Sequence, residues 1–215
     1  MKLCALAIAL LSTAAGAQET MKATLVEGPV TLAAGGDLAE GAVLHGGDTV
    51  LTGADARLEI LLPSGSVLRI GENSKLALGD AVPQKAFSAK LLLGNLWARV
   101  HKLISGETFH IETENAVAGV RGTEFRVEVA RGQDDLLRVY EGAVQVDGAG
   151  GKWSHRVEAA QELRFHRDRE PAGAKTFDAA SEKGHKFMEW VRSRKEPFEY
   201  RNPEREHRQR RRKQR

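Results

Sequence analysis

From residue 23 to residue 166 the chain is one short apolar run after another, each ended by a glycine-containing turn roughly every eight to twelve residues. Segments of that length bury one face each as strands, so the pattern dictates an all-β domain and leaves no stretch for a helical core. Leu58, Ile60 and Leu62 alternate with Arg57, Glu59 and Leu61. Leu68 and Ile70 carry the alternation past the turn at Pro63-Ser64-Gly65. Two hairpins follow from turn length. Glu141-Gly142 pairs Tyr140 with Ala143, Val139 with Val144 and Leu137 with Val146. Gly94-Asn95 pairs Leu93 with Leu96, Leu92 with Trp97, Leu91 with Ala98 and Lys90 with Arg99. In that register Leu91, Leu93, Leu96, Ala98 and Val100 form the core face, and Lys90, Leu92, Trp97, Arg99 and His101 form the other. Two cations opposite each other call for an acidic neighbour, a phosphate or a partner surface. The turns at Gly28, Gly41, Gly65, Gly94 and Gly142 recur too unevenly for a solenoid and read as repeated hairpin chemistry. The expected fold is two packed antiparallel sheets, a β-sandwich or a short β-helix-like roll.

The segment Ala116-Val117-Ala118-Gly119-Val120-Arg121-Gly122-Thr123-Glu124-Phe125 places two glycines three apart around an arginine, just before the alternating Phe125-Arg126-Val127-Glu128-Val129. Glycines there let the backbone turn or pass close to a neighbour. Gly47-Asp48-Thr49-Val50-Leu51-Thr52-Gly53, Pro63-Ser64-Gly65-Ser66-Val67-Leu68 and Gly94-Asn95-Leu96-Trp97 precede it. Taken in this order the motifs resemble the FecR domain family over about residues 40–147. The resemblance implies a non-enzymatic envelope domain in which Asp48, Gly119, Arg121, Gly122, Thr123 and Glu124 are motif positions with an architectural role. In regulators of that kind a cytoplasmic segment controls a sigma factor and a single helix crosses the inner membrane. The periplasmic domain relays a signal from an outer-membrane transducer.

Lys2, the apolar run Leu3–Leu11 and Ala15-Gly16-Ala17 read as a signal peptide over residues 1–17, cleaved between Ala17 and Gln18. The run is shorter than the ~20 residues a bilayer span needs, and the single cysteine, Cys4, leaves with it. The expected product is soluble, free of disulfides, and exported to the periplasm or the exterior of a bacterium. With no spanning helix or cytoplasmic segment expected, direct sigma-factor contact is not expected either, and no counterpart of the regulators' C-terminal subdomain is recognised.

The all-β domain is expected to occupy residues 18–170. Residues 171–200 read as a linker and one amphipathic helix, capped by Asp178 or Ser181 and running to about Arg194 with Phe187, Trp190 and Val191 on one stripe. Gly184 weakens its first turns by about 1 kcal/mol relative to alanine. Residues 201–215 carry eight Lys or Arg against Glu204 and Glu206, whereas residues 18–200 are net acidic. This polybasic tail lacks apolar residues and is expected to be disordered when free.

No nucleophile elbow, zinc-binding His-Glu-x-x-His or phosphate loop is present, so no catalytic, cofactor or metal role is assigned; His166 and Asp168 alone make a weak pair. Arg121 is read as a buried structural cation held by Glu124 or Asp48, with a presented recognition arginine as the alternative. Lys90, Leu92, Trp97, Arg99 and His101 are the candidate partner face, with the C-terminal helix as the favoured cover for Trp97. Arg208, Arg210, Arg211, Arg212, Lys213 and Arg215 are candidate contacts for an anionic polymer or membrane surface, or simply a solvated end. Two functions follow: an envelope protein-binding, scaffolding or relay module, and a binder of lipopolysaccharide, wall polymer or extracellular DNA through the tail and the Trp97 face.

Overall fold

The computed structural model describes residues 20–82, 86–103 and 106–194. The first half of the chain forms β1 (Met21–Glu27), β2 (Val30–Leu32), β3 (Val43–Leu44), β4 (Thr49–Thr52), β5 (Arg57–Leu61), β6 (Val67–Ile70), β7 (Lys75–Val82) and β8 (Ala86–Arg99). The second half forms β9 (Thr108–Glu112), β10 (Ala116–Val120), β11 (Glu124–Val129), β12 (Asp135–Glu141), β13 (Ala143–Gly148), β14 (Ser154–Glu158), β15 (Gln161–Phe165) and β16 (Lys175–Thr176). A 3₁₀ turn at Ala179–Glu182 and one helix, α1 (Lys186–Ser193), close the described chain.

The strands form two sheets that share β8. One runs β3-β1-β5-β6-β8-β11-β12-β15-β16, the other β2-β4-β7-β8-β9-β10-β13-β14. All pairings are antiparallel except β8 with β9, which is parallel. Leu58, Ile60, Leu68 and Ile70 from the first sheet and Leu91, Phe109, Val144 and Val157 from the second fill one core. The chain changes sheet at each strand over β1–β4 and after each pair of strands over β9–β16, giving the all-β sandwich with a roll-like path.

Both hairpins expected from turn length are in fact crossings between the sheets. Gly94 and Asn95 lie inside the continuous β8, whose first half pairs with β7 and β9 and whose second half pairs with β6 and β11. Phe87, Ala89 and Leu91 face the core before Gly94, and Leu96 and Ala98 after it, so the side-chain phase reverses at the crossing. Gly94 makes that possible with φ +96° and with no room for a side chain against Ser74. Likewise Gly142 carries the chain from β12 in the first sheet to β13 in the second: Val139 pairs with Phe125 and Gln161, and Val144 with Val120 and Val157.

The expected C-terminal helix is shorter than its pattern suggested. Asp178 caps only the 3₁₀ turn, accepting from the Ala180 N–H at 2.8 Å. Gly184, at φ +84°, breaks the path, and α1 begins at Lys186 with His185 at its N-cap. No helix among the described residues is long and apolar enough to cross a membrane. The signal-peptide residues Ala17 and Gln18 and the tail cations Arg208, Arg210, Arg211, Arg212, Lys213 and Arg215 lie outside the described residues.

Candidate functional site

Three of the sequence motifs converge on one corner of the sandwich. The His101 ring Nε2 lies 2.7 Å from the Gly65 carbonyl, and the His101 N–H donates to Ser66 Oγ at 3.3 Å. Glu124 faces back across the β8–β11 ladder. Its Oε2 accepts from Arg99 Nε at 3.2 Å and Nη2 at 2.6 Å, and its Oε1 accepts from Trp97 Nε1 at 3.2 Å. Gly122, at φ +67°, brings the turn against the Lys102 backbone, where an added Cβ would lie 3.2 Å from the Lys102 Cα. Between these walls is a cleft of about 400 Å³ lined by Arg99, His101, Lys102, Arg121, Thr123, Glu124 and Glu141.

Arg121 sits exposed on this cleft, which corrects the expectation of a buried cation held by Glu124 or Asp48. Glu124 is engaged by Arg99 and Trp97, and Asp48 accepts the His45 N–H at 2.8 Å. The physical reason is position: residue 121 lies in the crossing between β10 and β11, beyond the last paired residue of either sheet, so no opposing strand covers it. Lys102 is exposed beside it, and no carboxylate among the described residues pairs with either cation. An Arg121→Ala chain should therefore change stability by less than about 0.5 kcal/mol in urea unfolding; a loss above about 2 kcal/mol would restore the structural reading.

The second feature is a charged row across the outer face of the first sheet. Glu59, Arg69, Trp97, Arg126, Arg138 and Glu162 stand opposite one another in β5, β6, β8, β11, β12 and β15. Side chains at such positions normally face water, yet Glu59, Arg69, Trp97 and Arg126 are all at most 2% exposed. The cover is the C-terminal segment. Leu25, Val67 and Trp97 pack against Phe187, Met188, Trp190 and Val191 in a second apolar cluster. Arg69 Nε donates to Glu59 Oε2 at 2.8 Å, its Nη1 donates to the Val191 carbonyl at 3.1 Å, and its guanidinium lies 4.7 Å from the Trp97 ring centre.

Glu182 is the anchor of that segment. Its carboxylate, fully buried, accepts from Arg138 Nη1 at 2.9 Å, from the Tyr140 hydroxyl at 3.0 and 3.1 Å and from Arg192 Nη2 at 2.8 Å, with Arg126 Nη2 at 3.7 Å. Burial, with Glu182 adding to it, pushes the Tyr140 phenol well above its ordinary range. The ring of His185 meets the same arginine, with Nε2 2.8 Å from Arg126 Nη1. An arginine can only donate, so Nε2 is the acceptor and the ring is neutral in this contact.

Burial and then the Arg126 charge lower the His185 pKa from its usual 6.5, with Glu128 and Glu182 opposing. The undocked histidine therefore takes a proton at a higher pH than the docked one. Docking keeps its full strength above pH 6.5 and weakens as pH falls below it toward the depressed value. Hydrogen exchange should show protection of residues 186–194 falling between pH 7.5 and 5.5, and a His185→Ala chain should show a flatter response. Protection that rises on acidification would contradict this assignment.

The five residues expected to form one partner face are divided by the crossing at Gly94. Lys90 and Leu92 belong to the half of β8 in the second sheet, where Lys90 stands opposite Ala77 and Glu112. Trp97 lies beneath α1, and Arg99 and His101 line the corner cleft. Lys90 and Arg99 are thus not opposite each other; Arg99 meets Glu124 instead. His166 Nδ1 and Asp168 Oδ2 lie 3.6 Å apart with both side chains exposed, and no metal-sized group of three such residues occurs among the described residues. Glu59, Arg69, Arg126, Arg138 and Glu182 had no motif to mark them. The four on strands leave one trace in sequence, charges of both signs at alternate positions of adjoining strands; Glu182, in the 3₁₀ turn, leaves none.

Residues 48–145 match the family model described as FecR protein. A search of curated proteins finds no match. Two crystal structures of a proposed anti-sigma factor from Parabacteroides distasonis, at 1.65 and 2.50 Å resolution, share the fold. Each has a TM-score of 0.56 and 17% identity over 65% of this chain. The chain spans 64% and 63% of the length of those structures, just under two thirds, so the likeness concerns the architecture alone. Motif order and family model agree on a FecR domain over residues 48–145 of this chain.

Proposed function

We propose that this chain is a binding module of the bacterial envelope that relays a regulatory state by protein–protein contact, and that its partner-facing site is the corner cleft. The carrying observation is the exposure of Arg121, a motif residue, beside Lys102 with no carboxylate paired to either among the described residues. A motif arginine released from structural duty is suited to recognition, since its fork fits carboxylates and it is enriched at interface anchors. The signal-like N-terminus supports an envelope location, and on this reading the contact is with an envelope protein, not directly with a sigma factor. A Lys102→Glu/Arg121→Glu chain should recover at least about tenfold less of that partner from native envelopes than the unaltered chain, the effect of reversing two contact charges. Equal recovery would remove the cleft from the reading.

A second reading, polyanion binding, is supported by the charge of residues 201–215, eight Lys or Arg against two Glu. It does not draw on Trp97, which α1 covers. It expects retention on heparin that falls steeply with salt and vanishes when residues 201–215 are deleted. Retention unchanged by the deletion would sink it.

A further inference from the structure

We propose that the charged face beneath α1 is a helix-receiving groove, which the chain's own segment 178–194 occupies and which a partner protein's helix can take in its place. The proposal goes beyond the corner cleft and does not depend on it.

The groove recognises a defined chemistry. Arg126 and Arg138 converge on one carboxylate, Glu182. Arg69 donates to a main-chain carbonyl at the helix C-terminal end, a contact any helix can supply. Phe187 and Trp190 fill the apolar floor over Trp97. The matching partner is therefore an amphipathic helix with two aromatic residues three apart, preceded by a carboxylate.

Two observations make the present occupant replaceable. It is a helix of eight residues, too short to hold itself, joined through Gly184 at φ +84° with open space around it. It also leaves polar atoms of the groove itself unsatisfied: Arg69 Nη2 and Arg126 Nε are buried without a hydrogen-bond partner. A helix that reaches those atoms gains what the resident forgoes. The groove is also tied to the corner, because Glu124 bonds both Trp97 on its floor and Arg99 in the cleft.

The test uses the full chain and, as probe, a fluorescein-labelled peptide with the sequence of residues 178–194. Trp190→Glu displaces the resident while leaving the sheet intact, and Phe187→Ala is the milder companion if the first variant loses its β-sheet circular dichroism. The peptide should bind the displaced chain at least about tenfold more tightly than the unaltered chain, whose groove is occupied. The same peptide carrying Glu182→Ala should lose about tenfold in affinity for the displaced chain. Equal binding to displaced and unaltered chains, or indifference to Glu182, overturns the proposal. Dimerisation of the displaced chain that excludes the peptide also overturns it, assigning the groove to a second copy. On the unaltered chain, amides of residues 186–194 should exchange well ahead of those in β8 and β11; exchange in step with those strands overturns replaceability.

Discussion

A Glu182→Ala chain is expected to lose about 3–5 kcal/mol of the interaction that holds the C-terminal segment on the sheet, the cost of leaving buried cations without their counter-charge. The size follows from convergence. Arg138, Tyr140 and Arg192 all donate to this one carboxylate, with Arg126 close by; Arg138 and Arg126 each also meet a second carboxylate, Glu162 at 2.8 Å and Glu128 at 3.1 Å, whereas among the described residues none meets Tyr140 or Arg192. The consequence is bounded by relief: once the segment lifts, the arginines regain water. The loss should therefore appear first as undocking. Limited proteolysis should cut near Lys186 and Arg192 while the sandwich stays intact, and Trp190 emission should shift to the red. Glu182→Gln should lie between the two, because an amide accepts hydrogen bonds but carries no charge. If Glu182→Ala leaves both proteolysis and emission unchanged, the buried anchor is not holding the segment.

Gly94→Ala should produce the second large effect, on the order of 3 kcal/mol or more, and here the whole sandwich is affected. Two costs combine: a left-handed backbone conformation at φ +96°, and a Cβ placed 2.6 Å from the Ser74 Cα. Backbone cannot yield as a flexible side-chain end can. The damage falls where β8 passes from one sheet to the other, so both sheets lose register together. Urea unfolding reads the loss directly, with a melting-temperature drop of about 2–4 °C for each kcal/mol. Gly35→Ala is a suitable control, because its φ of +106° carries similar backbone strain with nothing within 4 Å of the added carbon.

The same glycine shows where the sequence was legible and where it was not. The alternation of Leu58, Ile60, Leu68 and Ile70 is a local property, and those residues face the core as their spacing requires. A glycine at a two-residue turn also announces a left-handed backbone locally, and Gly94 and Gly142 adopt one. What it does not announce is where the chain goes next. Hairpin and crossing differ only in whether the following strand pairs with the preceding one, and that is decided by distant partners: Ser74 against Gly94, Gly122 and Thr123 against Gly142.

The charged row was hidden for a related reason. Glu59, Arg69, Arg126 and Arg138 occupy alternate positions that face solvent in most sandwiches, so each strand taken alone shows an ordinary wet face. Only the register across five strands, plus a helix far later in the chain at Lys186–Ser193, turns them into a buried seam. Arg121 failed in the opposite direction. The flanking glycines suggested confinement, but they confine the backbone, and the side chain leaves the crossing into the cleft. Glu124, placed in the same motif, takes the structural part instead by joining Arg99 to Trp97.

The most direct test of the account is a photo-crosslinking comparison in native envelopes, with the crosslinking residue placed at Arg121, or at the exposed Lys152 on the second sheet's far loop as the control. The account predicts one discrete protein adduct from position 121 and none from position 152. Identical adducts from both positions, or an adduct only from position 152, would contradict the corner cleft as the partner-facing site of this FecR domain.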